Sequence, residues 1–217
     1  TSLNINNQRK EMKSLLSNTI KIALALIIPA AFGLMILSET IVSVIYEYGV
    51  FGSEEVKIVS NVLIGFSLGL PAYVLIRIFS SAFYSMSDTK SPLKFSLYAI
   101  SVNIALSIPL FIGFGVIGIA YATSISAWIH VIIFYKKLKE LSLVLFSKDT
   151  LADIIKVLFS STIMLIIISL LKNNINLIYP AISLVILVMI GFFSYLLCLF
   201  FIGFYRKDDI KTFIKDF

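Results

Sequence analysis

Few side chains in this sequence could do chemistry, and most of them sit where water is scarce. Arg77 lies inside a long apolar run, about seven residues from the nearer end, or roughly 10 Å at helical rise. A guanidinium at that depth can snorkel and relieve much of its cost, which is one reading of Arg77. Its productive use is to face an aqueous cavity and hold an anionic group, so Arg77 is a substrate-pathway candidate. Glu39, in the outer third of the preceding run, is the second: it can serve a cavity or the outer interface. The two lie near opposite faces of a membrane, so no pair between them is expected. Asn103 and Ser107 are one helical turn apart and share a face. Thr123 reaches a similar depth from the far side of the turn Gly113-Phe114-Gly115. These three could line an oxygen site for an ion, although no carboxylate joins them, or they could bond across helices. His130 is the sole histidine, so no nucleophile–base pair can be built on it, and packing or a proton relay are its two uses. Cys198 is alone, which removes disulfides and cysteine metal sites. The sequence holds neither a Gly-rich Lys-Ser/Thr phosphate loop nor a paired-histidine zinc motif. No catalytic residue, metal or cofactor is therefore expected, beyond coupling to the membrane potential or to a monovalent cation.

The elements that must position these residues are six long apolar stretches. They run over Ile20–Tyr46, Ile58–Tyr84, Phe95–Ile112, Val116–Tyr135, Ile154–Leu171 and Ile178–Phe204. Most approach or exceed the ~20 residues that a helix needs to cross ~30 Å of hydrocarbon. Only 14% of residues are charged, where a soluble domain carries about a quarter, and mean hydropathy is +1.00. The apolar runs are continuous rather than alternating, which excludes a β-barrel. The expected fold class is an all-α polytopic membrane protein with six transmembrane helices.

Charge placement orients the helices. Arg9, Lys10 and Lys13 precede the first stretch and Lys21 stands at its start, and Lys90 and Lys94 lie between the second and third. Lys136, Lys137, Lys139 and Lys148 lie between the fourth and fifth and Lys156 at the start of the fifth, and Arg206, Lys207, Lys211 and Lys215 follow the sixth. The other side has only Lys57 and Lys172. Fifteen against two places both termini in the cytoplasm by the positive-inside rule. The same bias explains the net charge of +6 through contact with membrane lipids, so no nucleic acid partner is expected.

Read along the chain, residues 1–19 form a cytoplasmic loop segment and 20–135 four transmembrane helices. Residues 136–153 form a cytoplasmic loop, 154–204 a helix pair and 205–217 an interfacial tail. In that tail Ile210, Phe213, Ile214 and Phe217 repeat at helical spacing, and Lys139–Thr150 carries a weaker apolar cluster. Pro92 and Pro180 open helices, where a missing N–H costs least. Pro29, Pro71 and Pro109 lie inside apolar stretches and are expected to kink them. Gly65 and Gly69, and Ala120, Ser124 and Ala127, mark close helix packing. The chain opens on Thr1 with no apolar leader, and the expectation is that it starts inside a longer protein.

Three stretches, covering about residues 20–135, resemble the MviN/MurJ family of lipid II flippases, within the multidrug/oligosaccharidyl-lipid/polysaccharide exporter superfamily. The first is Ile28-Pro-Ala-Ala-Phe-Gly-Leu-Met-Ile-Leu-Ser-Glu-Thr-Ile41, followed by Tyr48-Gly-Val-Phe51. The second is Gly69-Leu-Pro-Ala72, then Ala82-Phe-Tyr-Ser-Met-Ser-Asp-Thr-Lys-Ser-Pro92. The third is Gly118-Ile-Ala-Tyr-Ala-Thr-Ser-Ile-Ser-Ala-Trp128. The signature residues are Pro29, Gly33, Gly49, Phe51, Pro71, Phe83, Tyr84, Asp88, Thr89, Pro92, Gly118 and Thr123. Thr40, where the family has proline, and Ser107, where some relatives have a carboxylate, depart from the pattern.

The resemblance implies a fourteen-helix parent with two six-helix lobes around a cavity. This chain would supply the last four helices of the second lobe and a C-terminal pair. The implied activity is movement of an undecaprenyl-pyrophosphate-linked peptidoglycan precursor, lipid II, from the inner to the outer leaflet of the bacterial cytoplasmic membrane. The implied partners are that lipid or a related polyprenyl-pyrophosphate lipid, membrane lipids, and the first lobe. The family's cavity arginines lie mostly before this segment, so the chain alone is not expected to transport. Two alternatives stand beside this: a flippase for another polysaccharide lipid or a multidrug antiporter of the same superfamily, and a non-transporting membrane scaffold or degenerate fragment.

Overall fold

Backbone amides in hydrocarbon must bond within their own segment, so long apolar runs close into helices. The computed structural model describes residues 2–49, 51–141, 143, 148–172, 174 and 180–204. It contains α1 (Ser2–Tyr46), α2 (Ser53–Ser67), α3 (Leu70–Ser85), α4 (Lys90–Phe114), α5 (Val116–Glu140), α6 (Lys148–Lys172) and α7 (Pro180–Phe201). With α2 and α3 counted as one broken span, six helical segments among the described residues are long and apolar enough to cross a membrane. The all-α, six-span expectation therefore holds.

Three boundaries differ from those expected. Residues 2–19 are not a loop but the first turns of α1, because no Gly or Pro interrupts the chain before Pro29. The expected loop 136–153 shortens from both sides: α5 runs on to Glu140, and α6 starts at Lys148 with Asp149 complementing its N-terminal dipole. Within it Leu143 is buried. The tail over 205–217 lies outside the described residues.

The second span is the third difference. It breaks at Leu68-Gly69 instead of kinking at Pro71. The Gly69 N–H turns back to the Phe66 carbonyl at 3.0 Å, and Pro71 then stands in the first turn of α3, where it needs no donor. Two carbonyls at the break are satisfied from α5: Ser124 Oγ donates to Gly65 O at 2.6 Å, and Trp128 Nε1 donates to Leu68 O at 3.0 Å. Pro29 is handled in the same way. It removes the donor for Ala25 O, and the Tyr195 hydroxyl of α7 donates to that oxygen at 2.5 Å.

Helix α1 runs through the centre and packs against α2, α3, α6 and α7, while α5 packs against α2, α3 and α4. The core joins Ile20, Leu24 and Ile28 of α1 to Phe79 and Phe83 of α3, Phe134 of α5 and Val157 and Met164 of α6. Phe134 sits within an aromatic cluster, 6.3 Å from Phe79, 5.5 Å from Phe83 and 5.2 Å from Phe95 between ring centroids. By contrast, α4 turns most of its apolar surface outward, including Leu97, Ile104, Ile108 and Phe111.

The turn from α3 to α4 explains the most specific of the sequence signatures. Asp88 N–H reaches Phe83 O at 3.0 Å and Ser87 N–H reaches Tyr84 O at 2.9 Å, with Ser87 at φ 59°, which makes a Schellman cap. The Asp88 carboxylate then accepts the N–H groups of Lys90 and Ser91 at 3.1 and 3.0 Å, and Pro92 occupies the first turn of α4. Glycine is the usual residue at the left-handed cap position. Ser87→Gly is expected to stabilise the protein by about 1 kcal/mol, because a side chain disfavours that conformation by roughly this amount. An SDS-titration midpoint that fails to rise would contradict this assignment.

Candidate functional site

Helix α3 buries Leu75, Phe79, Ala82 and Phe83. Arg77 falls on the opposite face, exposed, with Ser81 and Tyr84 exposed at helical spacing beyond it. Among the described residues Arg77 has no ion-pair partner. A guanidinium on the outward face of a spanning helix, roughly 12 Å above the end of α3 at helical rise, needs water or an anion opposite it.

Glu39 sits elsewhere. It lies on α1 and pairs with Lys172 at the end of α6, at 3.7 Å, with the carboxylate 59% exposed. The structure thus places Glu39 at one rim of the bundle and does not bring it to Arg77.

Asn103 and Ser107 meet as their spacing suggests: Ser107 Oγ donates to Asn103 Oδ1 at 3.0 Å. The residue opposite Asn103 is Ser126, whose Oγ accepts from Asn103 Nδ2 at 3.1 Å. Thr123 is linked only indirectly. Its hydroxyl donates to Ile119 O within α5, and its carbonyl accepts from Ser126 Oγ. Counting outward from Gly115, Asn103 lies twelve residues before it and Ser126 eleven after, whereas Thr123 lies only eight after, a signal that was present in the sequence. The arrangement ties α4 to α5 through neutral hydrogen bonds.

His130 is buried and stacked on Phe134 at 4.8 Å, with Nε2 unpartnered among the described residues. Among the described residues no three His, Cys, Asp or Glu side chains gather as a metal set would.

Other signature residues shape the backbone. Gly49 holds φ 64° in the turn after α1, where Phe51 meets Tyr46 at 6.1 Å. Asp88 is partly exposed, and its bonds from the Ser91 side chain and backbone hold its carboxyl below the usual range. Thr89 is exposed at the start of α4, and Gly33 has open space around its Cα.

Two apolar recesses are lined by other residues. One, of about 580 Å³, lies at the α2–α3 break between Leu24, Ile28, Phe32, Pro71, Trp128 and Leu158. Its polar edges are engaged, since Ser67 donates to Leu63 O and Ser124 to Gly65 O. The other, of about 420 Å³, is an open groove along α7, lined by Val185, Met189, Ile190, Phe193 and Leu197. An ionic cluster joins α1, α6 and the end of α7. Lys21 meets Asp153 at 2.9 Å, Lys156 meets Asp153 at 3.4 Å and also donates to Gly203 O at 3.1 Å, and Lys21 lies 4.9 Å from the Phe204 ring. Sequence reasoning missed this cluster because Asp153 and Lys156 were assigned to a loop and its margin. An exposed cation at membrane depth can attract an anionic group.

A family model described as lipid II flippase MurJ matches residues 2–192. A probable lipid II flippase MurJ from Rickettsia prowazekii (strain Madrid E) is 37% identical over 157 residues, which is 72% of this chain and 31% of that protein. The lipid II flippase MurJ of Thermosipho africanus (strain TCF52B) is 32% identical over 212 residues, covering 97% of this chain and 41% of its own. A solved lipid II flippase MurJ in an inward closed conformation matches 92% of this chain and 41% of its own, with a TM-score of 0.79 at 31% identity. The chain spans about a third to two fifths of the length of these relatives. The signature turns, the order of the helices and the shared architecture converge, and the chain belongs to the lipid II flippase MurJ family.

Proposed function

We propose that this chain is the C-terminal helical portion of a lipid II flippase of the bacterial cytoplasmic membrane, with both of its ends on the cytoplasmic side. The observation that carries this reading is Arg77, exposed at membrane depth on a chain of this family. In the proposal Arg77 faces the cavity shared with the first lobe and assists in holding the lipid's pyrophosphate, while the polyprenyl tail lies along the apolar outer surface of α6 and α7. Rocking of the lobes then exposes the headgroup outside, driven by the membrane potential or a monovalent cation. The fifteen-to-two basic asymmetry supports the orientation.

The test substitutes this chain for the segment that it matches in the Thermosipho africanus flippase. The chimera is expected to translocate lipid II in vesicles, and the chain alone is not. Within an active chimera, Arg77→Ala is expected to lower translocation about tenfold, the scale of one lost hydrogen bond to a charged group, with Arg77→Lys recovering only part. A chimera that inserts at the parental level without translocating would count against the assignment. Unchanged transport by Arg77→Ala would remove Arg77 from the pathway.

A further inference from the structure

We propose that a buried water site joins α1, α6 and α7 at the level of Pro29, independently of the transport reading. The register of the helices brings the groups together. The α1–α6 contacts Ser17–Thr150, Lys21–Asp153 and Glu39–Lys172 each join residues 132 or 133 positions apart, so these two helices run parallel with a constant offset. That offset sets Pro29 beside Ser161 and Thr162, and Ile28 beside Ser160 and Ser161. The α6–α7 register agrees. A methyl added at Gly191 would stand 2.6 Å from Ile168 Cδ1 and 3.7 Å from Met164 Cγ, so Tyr195, one turn further along antiparallel α7, lies opposite residues 160–164.

Three kinds of polar group converge there. Pro29 leaves Ala25 O without a ladder donor, and the Tyr195 hydroxyl fills one of its two acceptor sites. Ser160 and Ser161 are both 0% exposed, and neither hydroxyl has a hydrogen-bond partner among the described residues. Two adjacent buried hydroxyls without partners are costly, and such groups in folded proteins are normally satisfied by protein or by ordered water. Buried waters typically make about three hydrogen bonds, and water inserts readily where a proline opens a helix.

The chemistry selects water over a cation. Every candidate ligand is a neutral oxygen, and an ion in a low-dielectric interior needs a counter-charge. The nearest carboxylate on α6 is Asp153, about two turns away and already engaged by Lys21 and Lys156. A water can instead accept from one serine and donate to the other, to the Tyr195 oxygen or to Ala25 O.

Water-edited solid-state NMR on the full chain in lipid bilayers, with carbon-13 serine and tyrosine, tests this. Signals assigned by Ser160→Ala and Ser161→Ala are expected to receive magnetisation from bound water despite complete burial, as is Tyr195 Cζ. The double variant Ser160→Ala/Ser161→Ala is expected to abolish transfer at Tyr195. Absence of transfer at both serines in the wild-type chain overturns the site, because it means that the hydroxyls bond to their own helix instead. Transfer at Tyr195 that survives the double variant overturns the bridge, and signal shifts on exchanging sodium for potassium overturn water in favour of a cation. The wild-type measurement stands even if the double variant does not fold.

Discussion

Gly118→Ala is expected to destabilise the chain by about 3 kcal/mol or more, the upper end of what overpacking costs. A methyl at Gly118 would stand 2.0 Å from Leu110 O, 2.4 Å from Leu110 C and 3.0 Å from Phe111 N. All three are backbone atoms, so no flexible side chain can swing aside. The approach is this close because one residue, Gly115, both ends α4 and begins α5, at φ 62° and ψ −144°. Only glycine adopts that conformation readily. The hairpin therefore reverses within a single residue and presses the first turn of α5 onto the last turn of α4. Because α4 packs chiefly on α5 and only weakly on α3, a sprung hairpin also frees α4. Gly113→Ala is the control: it sits in the same turn with nothing within 4 Å, and it should change little. An SDS-titration midpoint for Gly118→Ala equal to that of the wild-type chain would show that the hairpin is looser than described.

Much of the architecture was legible in the sequence, for a physical reason. Hydrocarbon forces helix on any long apolar run, so six spans follow from hydropathy alone. Signature residues such as Asp88, Pro92 and Gly118 were visible as motifs, and the structure explains them as a cap, a helix start and a close backbone contact. The interior partners were less legible. Which donor rescues Ala25 O or Leu68 O depends on Tyr195 and Trp128, residues 170 and 60 positions away. No local pattern encodes that pairing. The break at Gly69 was misread as a kink because Pro71 drew attention to itself, whereas the proline only opens the next helix. Thr123 is expected at a similar depth to Asn103, but the count from Gly115 comes nearer to Ser126, which is the residue that bonds it. The candidate cation at Arg77 was legible as a depth, but its outward face emerged only when α3 was seen to bury Leu75, Phe79 and Phe83.

Asp153→Ala is expected to destabilise the chain by about 1–3 kcal/mol. Removing one partner of a fully buried ion pair costs about 3–5 kcal/mol because the other charge is stranded. The figure is lowered here because the side chains of Lys21 and Asp153 are 18% and 15% exposed, and that of Lys156 is 33% exposed, so water can partly solvate what remains. Two ammonium groups, one on α1 and one on α6, lose their shared carboxylate at once. The cluster also reaches α7, through Lys156 to Gly203 O and Lys21 beside Phe204, so the loss should loosen the docking of the C-terminal helix pair. The Glu39–Lys172 pair joins the same two helices at the other end, but at 3.7 Å and with Glu39 59% exposed it should contribute well under 1 kcal/mol. Comparing Asp153→Ala with Glu39→Gln by SDS titration separates the two cases. If stranded charge is the cause, Lys21→Met combined with Asp153→Leu should recover part of the loss, since well-packed apolar residues often replace a buried pair without penalty. If Glu39→Gln proved as damaging as Asp153→Ala, the two helices would be held by long-range charge balance rather than by this buried cluster.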